Sequence, residues 1–223
     1  MQRPSTPLLA LALLFPLACD VDDDTVTRSG DGVIGAGRTI ELADLEDADD
    51  ADDADAPADD LDLDDLTTAP LYAYCDDVTT WDANWAKFEA DVLTLVNQKR
   101  AAGATCGGVA KPKVAALTLD TRLRCAARKH SKDMGTKNFF SHTGSNGSTF
   151  TQRITSAGYT WTGAGENIAA GQTTPAAVVN SWMASTGHCN NIMNGTFKHL
   201  GIGYYYAASA TYKHYWTQDF AKP

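Results

Sequence analysis

Three residues from separate stretches of the chain carry groups that could act together chemically: His142, Glu166 and His188. His142 follows Phe139-Phe140-Ser141 and precedes the turn-rich run Thr143-Gly144-Ser145-Asn146-Gly147, so it falls where a helix gives way to a loop. Glu166 stands between Gly165 and Asn167 in an otherwise small and apolar stretch, where solubility does not need a carboxylate. His188 directly follows Gly187, which reads as the stop of a helix, and the last carbonyls of that helix would favour a protonated imidazole. Two imidazoles and one carboxylate suit a divalent metal site and general acid/base chemistry alike. They would equally suit a hydrogen-bond network that only fastens three loops. The other histidines read more plainly: His130 falls on the apolar stripe of a helix as a satisfied, partly buried group, and His199 and His214 lie on strands. Neither Ser141 nor Ser185 sits in a Gly-x-Ser-x-Gly elbow, which argues against a serine hydrolase.

The elements that must position these groups can be read from periodicity. Trp81, Trp85, Phe88, Val92, Leu95 and Val96 recur at helical spacing between Thr80 and the breaker Gly103. A second helix follows Asp120 as its N-cap, with Leu123, Ala127, His130 and Met134 on one stripe. A short third helix runs from Ser148 through Phe150 and Ile154 to Gly158, and a fourth opens at Thr174-Pro175 and ends at Gly187. The period then changes. Segments 197–206 and 211–221 are rich in β-branched and aromatic residues, and the short link at 207–210 predicts an antiparallel hairpin. Helices with a terminal hairpin place the chain in the α+β class with an antiparallel sheet.

Charge divides the 223 residues unevenly. Residues 20–66 hold nineteen acids against two bases, whereas residues 67–223 hold nine acids against fifteen bases. The acidic part has almost nothing apolar to bury, so residues 19–70 are expected to form a disordered, self-repelling tether. The apolar run from Leu8 to Leu17, preceded by Arg3 and followed by Ala18-Cys19, reads as an export signal over residues 1–18. A cysteine at the cut resembles a bacterial lipobox and makes Cys19 the expected site of acylation, although Pro16 stands where a lipobox favours Leu. Residues 71–223 suffice for one domain, which excludes a multidomain enzyme; the apolar run is too short for an integral membrane protein. The domain's excess of six positive charges is scattered and gives no nucleic-acid surface. Export favours disulfides. Cys106 and Cys125 are close enough in sequence to pair locally, which would leave Cys75 to join Cys189.

Five blocks in order carry a family resemblance: Phe139-Phe140-Ser141-His142, Gly165-Glu166-Asn167-Ile168-Ala169, the stretch from Trp182-Met183 through Gly187-His188 to Asn191-Ile192-Met193, Gly201-Ile202-Gly203, and Tyr215-Trp216-Thr217-Gln218-Asp219-Phe220. Over about residues 85–221 the chain resembles the bacterial branch of the CAP superfamily, which joins cysteine-rich secretory, antigen 5 and plant pathogenesis-related proteins. The resemblance implies an α-β-α sandwich with a central antiparallel sheet and a groove in which His142, Glu166 and His188 match three of four conserved members. The fourth is a glutamate in the eukaryotic branch, and Ser185 stands in its place. A hydroxyl brings neither charge nor a carboxylate base, so a divalent cation such as Zn²⁺ at His142 and His188 would be weakly held, with no cofactor otherwise expected. The resemblance implies an extracytoplasmic module binding a lipid, glycan or protein ligand through His142, Glu166, Ser185 and His188. The alternative is a peptidase or envelope-polymer hydrolase with His142 or His188 as base and Glu166 as orienting carboxylate. The membrane would be met only through the lipid on Cys19.

Overall fold

A computed structural model describes Ala18–Cys19, Thr25–Thr27 and residues 73–223. The expected export signal up to residue 17 and most of the acidic tether lie outside the described residues. In chain order the elements are β1 (Ala18–Cys19), β2 (Thr25–Thr27), α1 (73–79), α2 (Ala83–Ala102), β3 (Ala104–Cys106), β4 (Val109–Lys111), β5 (Thr118–Leu119), α3 (Thr121–Lys137) and α4 (Phe150–Ser156). They continue with β6 (Gly163–Ala170), α5 (Pro175–Ala184), α6 (Thr186–Ile192), β7 (His199–Tyr206) and β8 (His214–Lys222). Among the described residues no helix is long and apolar enough to cross a membrane.

Side-chain caps set the helix starts, at Asp120 and Thr174 as the sequence leads one to expect. Asp82 accepts from the backbone N–H groups of Asn84 and Trp85, Asp120 from those of Arg122 and Leu123, and Thr174 from Ala177 ahead of a helix opened by Pro175. Thr149 and Gln152 close a full capping box on α4. The fourth helix departs from expectation. It ends at Ala184 rather than Gly187, because the extended backbone of Ser185 breaks it, and the chain restarts as α6 with Gly187 inside. His188 therefore lies in the first turn of a helix rather than beside the last carbonyls of one, which corrects the expected position.

The sheet runs β1-β6-β8-β7-β5, with β2 also on β6. β6 pairs antiparallel with β8 from Gly163↔Lys222 to Ala170↔Tyr215, and β8 with β7 from His199↔Ala221 to Tyr206↔His214, which realises the expected hairpin. Among the described strands only the two-residue β5 is parallel to its neighbour. The backbones of Cys19 and Thr25–Thr27 pair with the outer edge of β6, so at these positions the expected tether is joined to the sheet.

Side-chain alternation divides the strands between two helical layers. Leu200, Ile202, Trp216 and Phe220 pack with Val92 and Val96 of α2, Val178 and Trp182 of α5 and Ile192 of α6. The opposite face meets α3 and α4. There a Cβ at Gly201 would overlap the backbone at Leu123 and Arg124, and one at Gly203 the backbone at Ala127, so these glycines let α3 lie directly on β7. The result is the α-β-α sandwich that the resemblance implies.

The two disulfides correct the expected pairing. Cys75 joins Cys125, and Cys106 joins Cys189. Cys125 packs with Val78 and Ile154 on the α3 side, while Cys106 and Cys189 belong to the core on the α2, α5 and α6 side. The sheet separates Cys106 from Cys125, so proximity in sequence was no guide to proximity in space. Closing loops of 50 and 83 residues, each bridge contributes about 2–4 kcal/mol.

Candidate functional site

Glu166 sits in the middle of β6 and is fully buried, on the face covered by α3 and α4. A lone buried carboxylate would be neutralised by protonation, so its partners decide its state. One oxygen accepts from His142 Nδ1 at 2.7 Å and the other from Arg153 Nη2 at 2.6 Å. Arg153 also donates to the carbonyls of His142 (3.0 Å) and Ser148 (2.9 Å), clamping the loop that carries the histidine. Burial works to raise the Glu166 pKa. Arg153 first, then His130 and His142, outweigh it and hold the group well below the usual carboxylate range.

Asp219 lies directly opposite Glu166 in the β6–β8 ladder and is also fully buried. Burial, then the negative charge of Glu166, pushes its pKa well above the usual value. Asp219 therefore holds its proton to higher pH than an ordinary aspartate, while Glu166 beside it gives its proton up more readily. His130 completes the cluster. It is 1% exposed, deeper than the partly buried position expected, and its Nε2 lies 2.9 Å from the Ser141 carbonyl. Burial lowers its pKa to about 4, with Glu166 opposing.

Of the residues singled out in the sequence, the structure brings His142 and Glu166 together. His188 is buried in α6, on the other side of the sheet from α3. Its carbonyl accepts from Asn167 Nδ2 at 3.2 Å, and Asn167, adjacent to Glu166 on β6, also bonds Gln218 Oε1 (3.0 Å) and Asn191 Nδ2 (3.0 Å). Ser185 is the N-cap of α6 but makes no capping bond; its hydroxyl is buried without a partner among the described residues. Arg153, Asp219 and the role of His130 were not found from the sequence. A charged residue among the aromatics of β8 and an arginine beside Ile154 in α4 were the available signals.

Chemically, the Glu166 bond commits His142 Nδ1–H, so Nε2 carries the lone pair of the neutral ring. That is the arrangement of a base with its orienting carboxylate, and also of a fixed hydrogen-bonding imidazole. A zinc site fits less well. Both Glu166 oxygens are engaged, and among the described residues no three His, Cys, Asp or Glu side chains are grouped to hold a metal ion. No step through a metal follows from these residues.

A family model described as CAP, the cysteine-rich secretory protein family, matches residues 93–220, more than half of the chain. The chain is 38% identical over 143 residues to an uncharacterized protein, YkwD, of Bacillus subtilis, covering 64% of this chain and 50% of that protein. It is 30% identical over 145 residues to an uncharacterized membrane protein, YlbC, of the same organism, covering 63% of this chain and 37% of the relative. The chain thus spans half or less of the curated relatives it matches. Among solved structures it resembles an extracellular protein containing an SCP domain from Bacillus anthracis, with a TM-score of 0.53 and 27% identity over 65% of this chain and 45% of the other.

Proposed function

The chain belongs to the CAP family, and from that premise we propose that it is an extracytoplasmic binding module whose groove at His142 and Glu166 takes a lipid, glycan or protein ligand. The observation that carries this reading is the saturation of Glu166. A carboxylate held ionised by Arg153 on one oxygen and bonded to His142 on the other is a poor proton acceptor. It fixes the imidazole instead, and with it the loop that carries His142. Ser185, in the position where the eukaryotic branch has a glutamate, adds no second carboxylate.

The second reading is a peptidase or envelope-polymer hydrolase, and the 2.7 Å bond between His142 and Glu166 favours it, since a base and its orienting group are held this way. An extracytoplasmic location is supported by the extracellular description of the Bacillus anthracis protein and by two disulfides, which persist outside reducing compartments. Acylation at Cys19 is the proposed anchor. Cys19→Ala should release the protein from membranes, and an unchanged membrane fraction removes the anchor.

Mass spectrometry of small molecules co-purifying with protein made in an oxidising compartment tests the main reading. A ligand retained by the wild type and lost in His142→Ala supports the binding module. No ligand, together with His142-dependent cleavage of a peptide or envelope polymer, replaces it with the hydrolase.

A further inference from the structure

Basic residues that are scattered along the sequence are gathered by the fold at one end of the sandwich. α2 stops there: Asn97 Nδ2 donates to the Leu117 carbonyl at 2.9 Å, and the Val114 N–H to the Arg100 carbonyl at 3.0 Å. α3 starts there, capped by Asp120 directly after β5. β7 starts there too, since Thr118 pairs with His199, and β8 stops there, with Lys222 opposite Gly163 at the start of β6. Lys99 in the last turn of α2, Lys111 at the end of β4, Lys113, Arg124 near the start of α3, Lys198 and Lys222 therefore share this end.

Acids are few beside them. Asp120 is already bonded to Arg122 at 2.7 Å, and the other bases at this end make no ion pair among the described residues. Asp82 caps the far end of α2, Asp77 holds Lys129 and Lys132 further along α3, and Glu89, Glu166 and Asp219 are buried. Uncompensated charges of one sign on one face draw in an anionic partner. Two of the three exposed large hydrophobic side chains among the described residues, Val109 and Leu119, lie at the same end.

The chain carries a partner of matching chemistry. Residues 41–65 hold fourteen acids and no base, and their few large apolar residues are Leu42, Leu45, Leu61 and Leu63. This segment departs from beside the basic end, because β2 stops at Thr27, Thr27 pairs with Gly163, and Gly163 pairs with Lys222. The chain rejoins the domain at α1, which Cys75 ties to Cys125 near the start of α3. A flexible stretch from Thr27 to Glu41 spans about 20 Å on average, so the acids begin within reach. Tethering at both ends gives them an effective concentration on the order of millimolar, which a free anion must exceed to compete.

We propose that this basic end is a docking site for the chain's own acidic segment, residues 41–65, held by charge and by contact of its leucines with Val109 and Leu119. The inference rests neither on what the His142–Glu166 groove binds nor on acylation of Cys19.

The test is carbodiimide cross-linking of the full chain, which joins carboxylates to amines in contact, with the joined peptides mapped by mass spectrometry. Links within one molecule should run from residues 41–65 to Lys99, Lys111, Lys113, Lys198 and Lys222, and should pass over Lys87, Lys137 and Lys213. Their yield should fall at least about fivefold between roughly 0.05 M and 1 M NaCl, as screening shortens the reach of charge. A second variant replaces the fourteen acids by Asn and Gln and alters no residue of the sandwich. Against it, the ¹⁵N-labelled wild type should show shifted backbone amides at residues 105–113 and 117–124, and polyphosphate should bind the wild type at least about fivefold more weakly. Links spread evenly over all lysines, or formed only between molecules, would overturn the proposal. Amides unmoved by neutralising the segment, or equal binding of polyphosphate by both chains, would show that the segment does not occupy this end and would overturn it as well.

Discussion

Glu89 and Glu166 are both buried carboxylates bound to an arginine, yet burial and pairing shift their pKa values in opposite directions. Glu89 is gripped by Arg128 through Nε (3.0 Å) and Nη2 (2.6 Å), with the Tyr204 N–H as a further donor at 3.3 Å. Desolvation still wins there, and its pKa is raised. Glu166 receives Arg153 on one oxygen and His142 on the other, with Asp219 opposite, and its pKa is lowered. A single cation, even in bidentate geometry, only roughly offsets the cost of dehydrating both ions. Several donors from different elements do more. Glu89 fastens α2 to α3 and β7, whereas Glu166 organises the loop carrying His142.

The largest effect should separate the two. Glu166→Gln leaves Arg153 buried without its counter-ion and should cost about 3–5 kcal/mol. Glu89→Gln also strands a buried arginine, Arg128, but breaks no histidine contact, so its loss should sit at the low end of that range, about 3 kcal/mol. Urea unfolding of both variants at neutral pH makes the measurement, and equal losses would erase the distinction.

Removing one disulfide at a time comes next. Cys75→Ala with Cys125→Ala loosens α1, whose Val78 carbonyl accepts from Arg128 at 3.2 Å, so it should weaken the Glu89 pair as well as cost about 2–4 kcal/mol. Cys106→Ala with Cys189→Ala should cost as much while leaving the Glu89–Arg128 coupling, measured by a double-mutant cycle, unchanged. A coupling that falls equally in both backgrounds would contradict this assignment of α1.

A smaller effect tests the proton on Asp219. Asp219 has a raised pKa, so the unfolded chain ionises it first, and folding loses stability as pH climbs from its ordinary value toward its folded one. Glu166 has the opposite sign: its contribution is present above the unfolded value and is lost as pH falls through the lowered folded one. Asp219→Asn keeps the size of the side chain but cannot ionise. The variant should therefore gain on the wild type by about 1 kcal/mol or more between roughly pH 4 and pH 7. A constant difference across that range would show that no proton is retained on Asp219.

The smallest effect is a control outside both networks. Lys87 and Asp91 pair at 2.8 Å on the exposed side of α2, and Lys87→Ala should change stability by less than about 0.5 kcal/mol at moderate salt. A larger loss would mean that surface pairing matters here as much as burial.

The sequence determined what depends on neighbouring residues. Asp120 and Thr174-Pro175 announce helix starts, because capping is settled within four residues. The aromatic, β-branched C-terminal stretch announces the hairpin, and the ordered blocks around His142, Glu166 and His188 announce the family and its sandwich. Tertiary structure decided what depends on residues distant in the chain. Whether Cys125 meets Cys75 or Cys106 turned on which side of the sheet each element packs. That Glu166 finds Arg153 and Asp219 turned on strand register, which a hydrophobic pattern without clear alternation in β6 and β8 leaves open. The break at Ser185, which moved His188 from a helix end to a helix start, came from a change in backbone direction that neither Ser185 nor Gly187 imposes alone. Local propensity acts over one turn, and a buried charge is decided by everything the fold brings within reach.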